Sequence, residues 1–404
     1  MGWHTCAMRR LVAPLLGLPI ILLLVLAGLT LAFDWVSSAE DPPATSAATS
    51  TTTAPASSPT TTQAAAPGSP LDALVRQLQG FVERERGLSF KAPVKVSVLD
   101  DAAFRTKVTE IDDDGLKDIE ESQAVLRAMG LLGRDVDLVK SVRDFAGASV
   151  LGVYDPETDE LVVRGGEQLS PLVRLTLVHE LTHALDDQLF NLDRKDLGDE
   201  ADYGFAALVE GSALRVEDAY QRSLSSDDRA RARKEESAQA GTIPDNIPPV
   251  VAFAFGFPYA YGPDLVSAVV DAGGNARLDA AFAKPPASTE QAIDPRRYLG
   301  NDQPRSVPVP RADGAAFDEG EIGQFFLFLM LRSELSDNRA RDASVGWGGD
   351  RYVAWRDGER TCVRMDFVMD NPSENDELVK ALQSWAGKRK GTAGAAGSSV
   401  TTCG

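Results

Sequence analysis

Two of the three histidines in this chain stand four residues apart around a glutamate, in the run Val178-His179-Glu180-Leu181-Thr182-His183. Residues at this spacing lie on one face of an α-helix, so both imidazoles can reach a single ion. Glu180 is displaced by about 100° around the helix, where its carboxylate can take a proton from water at that ion. This H-E-x-x-H spacing predicts a Zn²⁺ site with His179 and His183 as ligands and Glu180 as general base.

The residues around the motif supply the helix that it requires. Apolar side chains recur there at helical spacing, at Leu177, Val178, Leu181, Ala184 and Leu185. Ser170 is a good N-cap and Pro171 suits the first helical position, so we predict a helix from about Pro171 to Phe190.

The third metal ligand must come from another part of the chain, because a catalytic zinc ion takes three protein ligands. A second helix is predicted over Ala201–Tyr220, and Glu210 lies in its apolar run, where an unpaired carboxylate would be costly to bury. Glu210 is therefore the leading candidate. The rivals are Asp202, Glu200 and Glu217.

Plainer interpretations compete with each of these assignments. Histidines four apart on a helix can be ordinary buried residues, although coincidence is hard to sustain in a chain so poor in histidine. Asp186 and Asp187 could orient the imidazoles, but an exposed acidic helix end is slightly favoured. Candidates to stabilise an oxyanion, with an ordinary core or surface role as the default, are Tyr203, Tyr259, Tyr261, Tyr352 and Arg351.

The N-terminal part of the chain contains an uncharged apolar stretch from Leu11 to Phe33, long enough to cross a hydrocarbon core of about 30 Å. Arg9 and Arg10 precede it, so the positive-inside rule places residues 1–10 in the cytoplasm and everything after the span outside. We predict a single-pass signal anchor over residues 11–33. Cleavage near Ala39 would instead release the protein.

Composition divides the rest of the chain into three parts. Residues 34–70 are mostly Ser, Thr, Ala and Pro and predict a disordered linker, residues 71–390 predict one folded domain, and residues 391–404 predict a flexible tail. Ala148–Tyr154 and Glu160–Arg164 predict a β-hairpin ahead of the histidine helix. The net charge of −19 argues against nucleic-acid binding.

The chain has three cysteines, and the predicted topology places Cys6 on the cytoplasmic side. Cys362 and Cys403 would both be outside, in a compartment that permits a disulfide bond between them. Two cysteines without a recognisable framework spacing leave both the bonded and the free form open.

The histidine run, followed by Ala207-Leu208-Val209-Glu210-Gly211-Ser212-Ala213, resembles gluzincin-type zinc metallopeptidases. That resemblance implies that Glu210 is the third ligand. Two further segments, Pro285–Gln291 and Gly346–Tyr352, resemble a group of envelope-anchored neutral zinc metallopeptidases. This chain has Asp294-Pro295 where that group commonly has His-Pro, which puts a catalytic role there in doubt.

Together these observations predict an α+β, zincin-like catalytic domain with a small sheet or hairpin and active-site helices, behind one transmembrane helix and a disordered linker. The predicted activity is hydrolysis of a protein or peptide substrate outside the cell. Two alternatives stay open: a zinc-dependent amide hydrolase acting on cell-wall material, and a tethered binding or scaffold protein whose metal is structural.

Overall fold

A computed structural model describes residues 68–166 and 169–404 with their side chains, and the backbone alone of residues 21–24 and 63–64. The linker predicted over residues 34–70 lies largely outside the described residues. So does the cytoplasmic segment predicted over residues 1–10.

Helices make up most of the described residues. In chain order they are α1 Pro70–Arg86, α2 Asp101–Thr109, α3 Asp113–Met129, α4 Leu138–Ser149, α5 Pro171–Phe190, α6 Asp199–Ser223, α7 Ser226–Ala240, α8 Pro249–Ala283, α9 Thr289–Ile293, α10 Pro295–Leu299, α11 Gly323–Arg332, α12 Asp337–Ser344 and α13 Pro372–Lys388. The histidine helix is α5, and α6 follows it directly.

The strands form two five-stranded sheets. They are β1 Ile21–Leu24, β2 Gln63–Ala64, β3 Lys95–Leu99, β4 Val150–Asp155, β5 Glu160–Arg164, β6 Ala315–Gly320, β7 Trp347–Asp357, β8 Arg360–Met369, β9 Ala393–Ala396 and β10 Ser399–Cys403. The first sheet has the order β1-β4-β5-β3-β2, and the second has the order β6-β7-β8-β10-β9.

The first sheet supports the histidine helix. Strands β4 and β5 form an antiparallel hairpin in which Tyr154 lies opposite Leu161, and β3 runs parallel to β5. Helix α5 packs against this hairpin and against α1, so its apolar side chains are buried on several sides. A helix buried on most of its surface holds its polar side chains in fixed positions.

The second sheet and the long helix α8 complete the core. Helix α8 crosses α6 closely and bends at Gly273 and Gly274, where Gly274 has a positive φ of 68°. Where the sequence predicts a flexible tail over residues 391–404, the structure has strands β9 and β10. Strand β10 pairs with β8, and Cys403 is disulfide-bonded to Cys362.

The prediction of a transmembrane helix over residues 11–33 is wrong. Residues Ile21–Leu24 form strand β1, which pairs antiparallel with β4. Among the helices of the described residues, none is long and apolar enough to cross a membrane. An uncharged run rich in Leu and Ile suits a strand as well as a helix, and periodicity cannot separate the two. The predicted fold is therefore corrected to a mixed arrangement of helices with two five-stranded sheets.

Candidate metal centre

Helix α5 brings His179 and His183 to one face. Its first turn is set by Ser170, whose Oγ accepts a hydrogen bond from the Val173 N–H at 3.3 Å, and by Pro171 at the first helical position. The two imidazole rings are fully buried, and their centroids lie 4.6 Å apart. The helix therefore presents two buried, adjacent imidazole rings on one face.

Helix α6 brings Glu210 to the same point. Its Oε2 lies 3.0 Å from His179 Nε2 and 3.6 Å from His183 Nε2. One ligand atom from each of His179, His183 and Glu210 lies within 4.8 Å of the others. The three residues that the sequence selects as ligands are therefore brought together.

These donor atoms have the spacing that a zinc ion requires. Ligand atoms in a tetrahedral zinc site with bonds of about 2.0–2.1 Å are roughly 3.4 Å apart, and the two Glu210 separations fall on either side of that value. His183 is fully buried, and neither of its ring nitrogens has a hydrogen-bond partner among the described residues. A buried imidazole without such a partner is costly, and a metal ion would remove that cost.

Electrostatics at the site also favour a cation. Burial alone would raise the pKa of Glu210, but the neighbouring imidazoles lower it to about 2, so this side chain is a carboxylate at neutral pH. Burial alone would lower the pKa of His179, but Glu210 and Glu217 raise it to about 10, so this ring carries the positive charge that the carboxylates favour and must release a proton to bind a metal. Burial lowers the pKa of His183, which keeps that ring neutral, as a ligand must be.

Glu180 lies beside the three ligands and is fully buried. Its side chain packs against β4 at Gly152, where a Cβ atom would stand 2.8 Å from Glu180 Oε1. Only glycine leaves room for the carboxylate at this position. Sequence reasoning missed Gly152, because nothing in the strand pattern shows which strand residue faces the base.

Glu217 contacts the imidazole of His179. Its Oε2 lies 2.9 Å from His179 Nδ1, on the side of the ring opposite to Glu210. A carboxylate there fixes the ring orientation and favours a proton on Nδ1, so that Nε2 is available to a metal. Glu217 is thus an outer partner of His179, whereas the sequence treats it as a rival third ligand.

The other two rivals lie in the first turn of α6, remote from the histidines. Glu200 is buried and accepts hydrogen bonds from the Thr289 N–H at 2.8 Å and the Thr289 hydroxyl at 2.7 Å. Asp202 is half-buried and does not belong to the ligand group. Neither side chain approaches the position that Glu210 occupies.

The two aspartates after His183, Asp186 and Asp187, accept hydrogen bonds from neighbouring segments of the fold. Asp186 is buried, accepts hydrogen bonds from Arg86 Nε at 2.9 Å and from Ser212 Oγ at 2.7 Å, and thereby ties α1 and α6 to α5. Asp187 accepts a hydrogen bond from the Tyr154 hydroxyl at 2.9 Å. The interpretation as an exposed acidic helix end is therefore wrong, and neither aspartate binds an imidazole among the described contacts.

Of the four tyrosines singled out in the sequence, Tyr259 has Glu210 and Glu180 among its charged neighbours. Burial, with those charges, raises its pKa well above the ordinary value. Tyr203 packs among phenylalanines, and the Tyr352 hydroxyl bonds Asp318 at 2.8 Å. Tyr261 packs against Phe257.

Asp294, three residues after the first segment of the second resemblance, has a structural role. Asp294 caps α10 and pairs with Arg296, remote from the metal ligands. A second group of acids, Glu290, Asp302 and Asp370, surrounds the guanidinium of Arg297. Arg297 offsets one of these charges, Arg305 pairs with Asp370, and burial raises the pKa of Glu290 to about 8, so the group resembles an ion-pair cluster more than a metal site.

The match to a known family covers a minor part of the chain. Residues 310–402 match the family model described as a domain of unknown function, DUF8575. No curated protein and no solved structure matches the chain.

Proposed function

We propose that this protein is a zinc-dependent hydrolase of peptide bonds. The observation that carries the proposal is the convergence of His179, His183 and Glu210, with the carboxylate of Glu180 beside them. Two imidazoles and one carboxylate are the donor set of a catalytic rather than a structural zinc site, in which water takes the fourth position.

Each side chain has a role in this proposal. Zinc held by the three ligands supplies Lewis-acid activation of water and of the substrate carbonyl. Glu180 accepts a proton from the attacking water and donates it to the leaving amine. Glu217 keeps His179 oriented through its Nδ1 atom.

Support for an extended peptide as substrate comes from β4. This strand packs against Glu180 through Gly152, and its outer edge takes strand β1 in antiparallel pairing. A peptide that took the place of β1 on this edge would run beside the general base, because strand addition aligns a backbone along the strand that receives it. The disulfide between Cys362 and Cys403 suits an oxidising compartment.

The test measures the zinc content and the cleavage rate of the wild type and of a variant substituted at Glu180, the proposed general base. We expect the full chain to bind one zinc ion and to cleave casein or a peptide library. Glu180→Gln should keep the zinc and lower the cleavage rate by about 100-fold or more, because the general base is lost. The control is Glu120→Gln, an exposed residue of α3, which should change neither property.

Other outcomes would redirect the proposal. Zinc retained without cleavage by the wild type would favour a structural metal, and release of fragments from cell-wall material alone would favour the amide hydrolase. Glu210→Ala should weaken zinc retention far more than Asp202→Ala. The reverse ranking would reassign the third ligand.

A further inference from the structure

A buried arginine and a buried aspartate join α1 to the two helices that carry the metal ligands. Arg86 is the last residue of α1, and its side chain is fully buried. Its Nε and Nη2 atoms donate to Oδ1 of Asp186, on α5, at 2.9 Å and 2.7 Å. The hydroxyl of Ser212, on α6, donates to Oδ2 of the same carboxylate at 2.7 Å. Both oxygens of Asp186 are therefore bound, one by α1 and one by α6.

Asp186 and Ser212 are close in sequence to the metal ligands. Asp186 follows His183 by three residues on α5, and Ser212 follows Glu210 by two residues on α6. With a rise of 1.5 Å per residue, these intervals are about 4.5 Å and about 3 Å along the helix axes. Because a hydrogen-bonded helix changes little over so short a distance, the bond between Asp186 and Ser212 sets how the turn with His183 lies against the turn with Glu210.

A metal centre requires this alignment of the two helices to be held closely. Its ligands must lie within about 0.5 Å of their productive geometry. The side chains of α5 in the core are mostly apolar, and apolar contacts have no preferred direction. A hydrogen bond to a carboxylate has a defined length and angle, so Asp186 and Ser212 supply a positional constraint that the apolar contacts lack.

Stability alone is a poor explanation for a buried ion pair at this position. Burying two charges costs several kcal/mol per ion, and packed apolar side chains of similar size often stabilise a fold as well or better. Arg86 Nη1 is also buried without a hydrogen-bond partner among the described residues. The pair is better explained by the position that it fixes.

We propose that Arg86, Asp186 and Ser212 form a positioning cluster of the metal centre, which holds the His183 turn of α5 in register with the Glu210 turn of α6. This inference rests on the proposed function, because it concerns the same site. The cluster has no part in the chemical step and acts through the helices that carry the ligands.

The first test compares Ser212→Ala with Ser149→Ala in the full chain. Ser149 is a matched control, because it is fully buried and also donates a hydrogen bond of 2.7 Å, but to the Phe145 carbonyl within its own helix α4. Zinc affinity is measured by competition with a chromophoric chelator. Ser212→Ala should weaken it by about 10-fold, the order of magnitude of a lost hydrogen bond to a charged group, and Ser149→Ala should leave it unchanged.

The second test replaces the ion pair by apolar side chains in the double variant Arg86→Met, Asp186→Leu. Its unfolding temperature in EDTA should be close to that of the wild type, because neither charge of the pair is left buried alone. Zinc affinity should still fall by about 10-fold or more, and the visible spectrum of the cobalt-loaded protein should change. The control is Asp279→Asn on α8, which removes the other carboxylate bound by Arg86 Nη2, at 3.1 Å, and should alter neither property.

A merely structural role would lower the unfolding temperature in EDTA and leave the zinc affinity and the cobalt spectrum as in the wild type. Zinc affinity of Ser212→Ala within threefold of the wild type, or an equal loss in Ser149→Ala, would overturn the inference alone, and this comparison decides if the double variant does not fold. Failure of the wild type to bind zinc would overturn the proposed function and this inference with it.

Discussion

Glu217 and His179 illustrate how much of the proposed metal site lies outside its ligands. The carboxylate oxygen 2.9 Å from His179 Nδ1 orients the ring and sets which nitrogen carries the proton. We expect Glu217→Ala to weaken zinc binding by about 10- to 100-fold, because His179 then loses the partner that holds Nε2 toward the metal. Equilibrium competition with a chelator measures the change.

Asp218→Asn is the control for that substitution. Asp218 is the next residue on α6, but its side chain is exposed and pairs with Arg222. Zinc affinity should be unaltered in this variant. Equal affinities of Glu217→Ala and the wild type would show that Glu217 is a bystander.

The titration of Asp350 makes the free energy of unfolding depend on pH. Burial raises its pKa to about 7, although the N–H groups of Ile322 and Gly323 and the Trp347 indole, each at 2.8 Å, favour the charged form. The unfolded chain releases this proton near pH 4, whereas the folded chain keeps it until about pH 7. The free energy of unfolding should therefore fall by up to roughly 4 kcal/mol as pH rises from about 4 to 7.

Asp350→Asn removes this titration and should flatten that part of the profile. Denaturant unfolding at a series of pH values measures the slope. Asp376→Asn, an exposed position on α13, should keep the slope of the wild type. An unchanged slope in Asp350→Asn would contradict the assignment.

At the scale of elements, the crossing of α6 and α8 leaves no room for a methyl group. Gly211→Ala should therefore destabilise the fold by about 1–3 kcal/mol or more and weaken zinc binding, since the helices must separate beside Glu210. Gly80→Ala is the matched control. On α1 the nearest atom to its added Cβ is 3.6 Å away, so this change should stabilise the protein by roughly 0.5–1 kcal/mol.

The two variants are compared by denaturant unfolding and zinc titration. If Gly211→Ala were as stable as the wild type, the helices would not be in backbone contact at that position.

Local signals explain which elements the sequence can predict. The histidine helix is observed over Pro171–Phe190 as predicted, because Ser170, Pro171 and the apolar spacing act within a few residues of one another. The ligand helix is longer than the predicted Ala201–Tyr220 and spans Asp199–Ser223. The roles of Gly152 and Glu217 could not be assigned from the sequence, since they depend on contacts between segments far apart in the chain.

At the scale of the whole molecule, one covalent link closes a long loop. Cys362 and Cys403 are 41 residues apart in sequence and join β8 to β10. A disulfide bond that closes a loop of this length lowers the entropy of the unfolded chain, which stabilises the fold by roughly 4 kcal/mol. We expect the double variant Cys362→Ser, Cys403→Ser to lose stability of that order and to keep its zinc, because the metal ligands lie on α5 and α6.

Thermal unfolding of the wild type and the double variant, each with and without a reducing agent, measures this effect. The reducing agent should lower the melting temperature of the wild type alone. Loss of zinc from the double variant would show that the second sheet and the metal centre are coupled through this bond.

The sequence predictions were wrong where composition alone was used to infer how distant segments pair. The uncharged run containing Ile21–Leu24 predicted a transmembrane helix, and the small residues after Lys390 predicted a mobile tail. In the structure both contribute strands. Strand pairing is a long-range property, and neither run contains the alternation that indicates a strand in isolation.

The hydrogen bonds of Thr289 have a consequence for dissecting this protein. Thr289 gives its N–H and hydroxyl to Glu200 at the start of the ligand helix, and its oxygen receives the Phe325 N–H at 3.3 Å. Phe325 belongs to the stretch matched by the family of unknown function. A fragment ending before residue 310 would lose the Phe325 end of this chain of bonds, so the matched stretch should be cloned, expressed and studied together with the helices that carry His179 and Glu210 rather than as a separate domain.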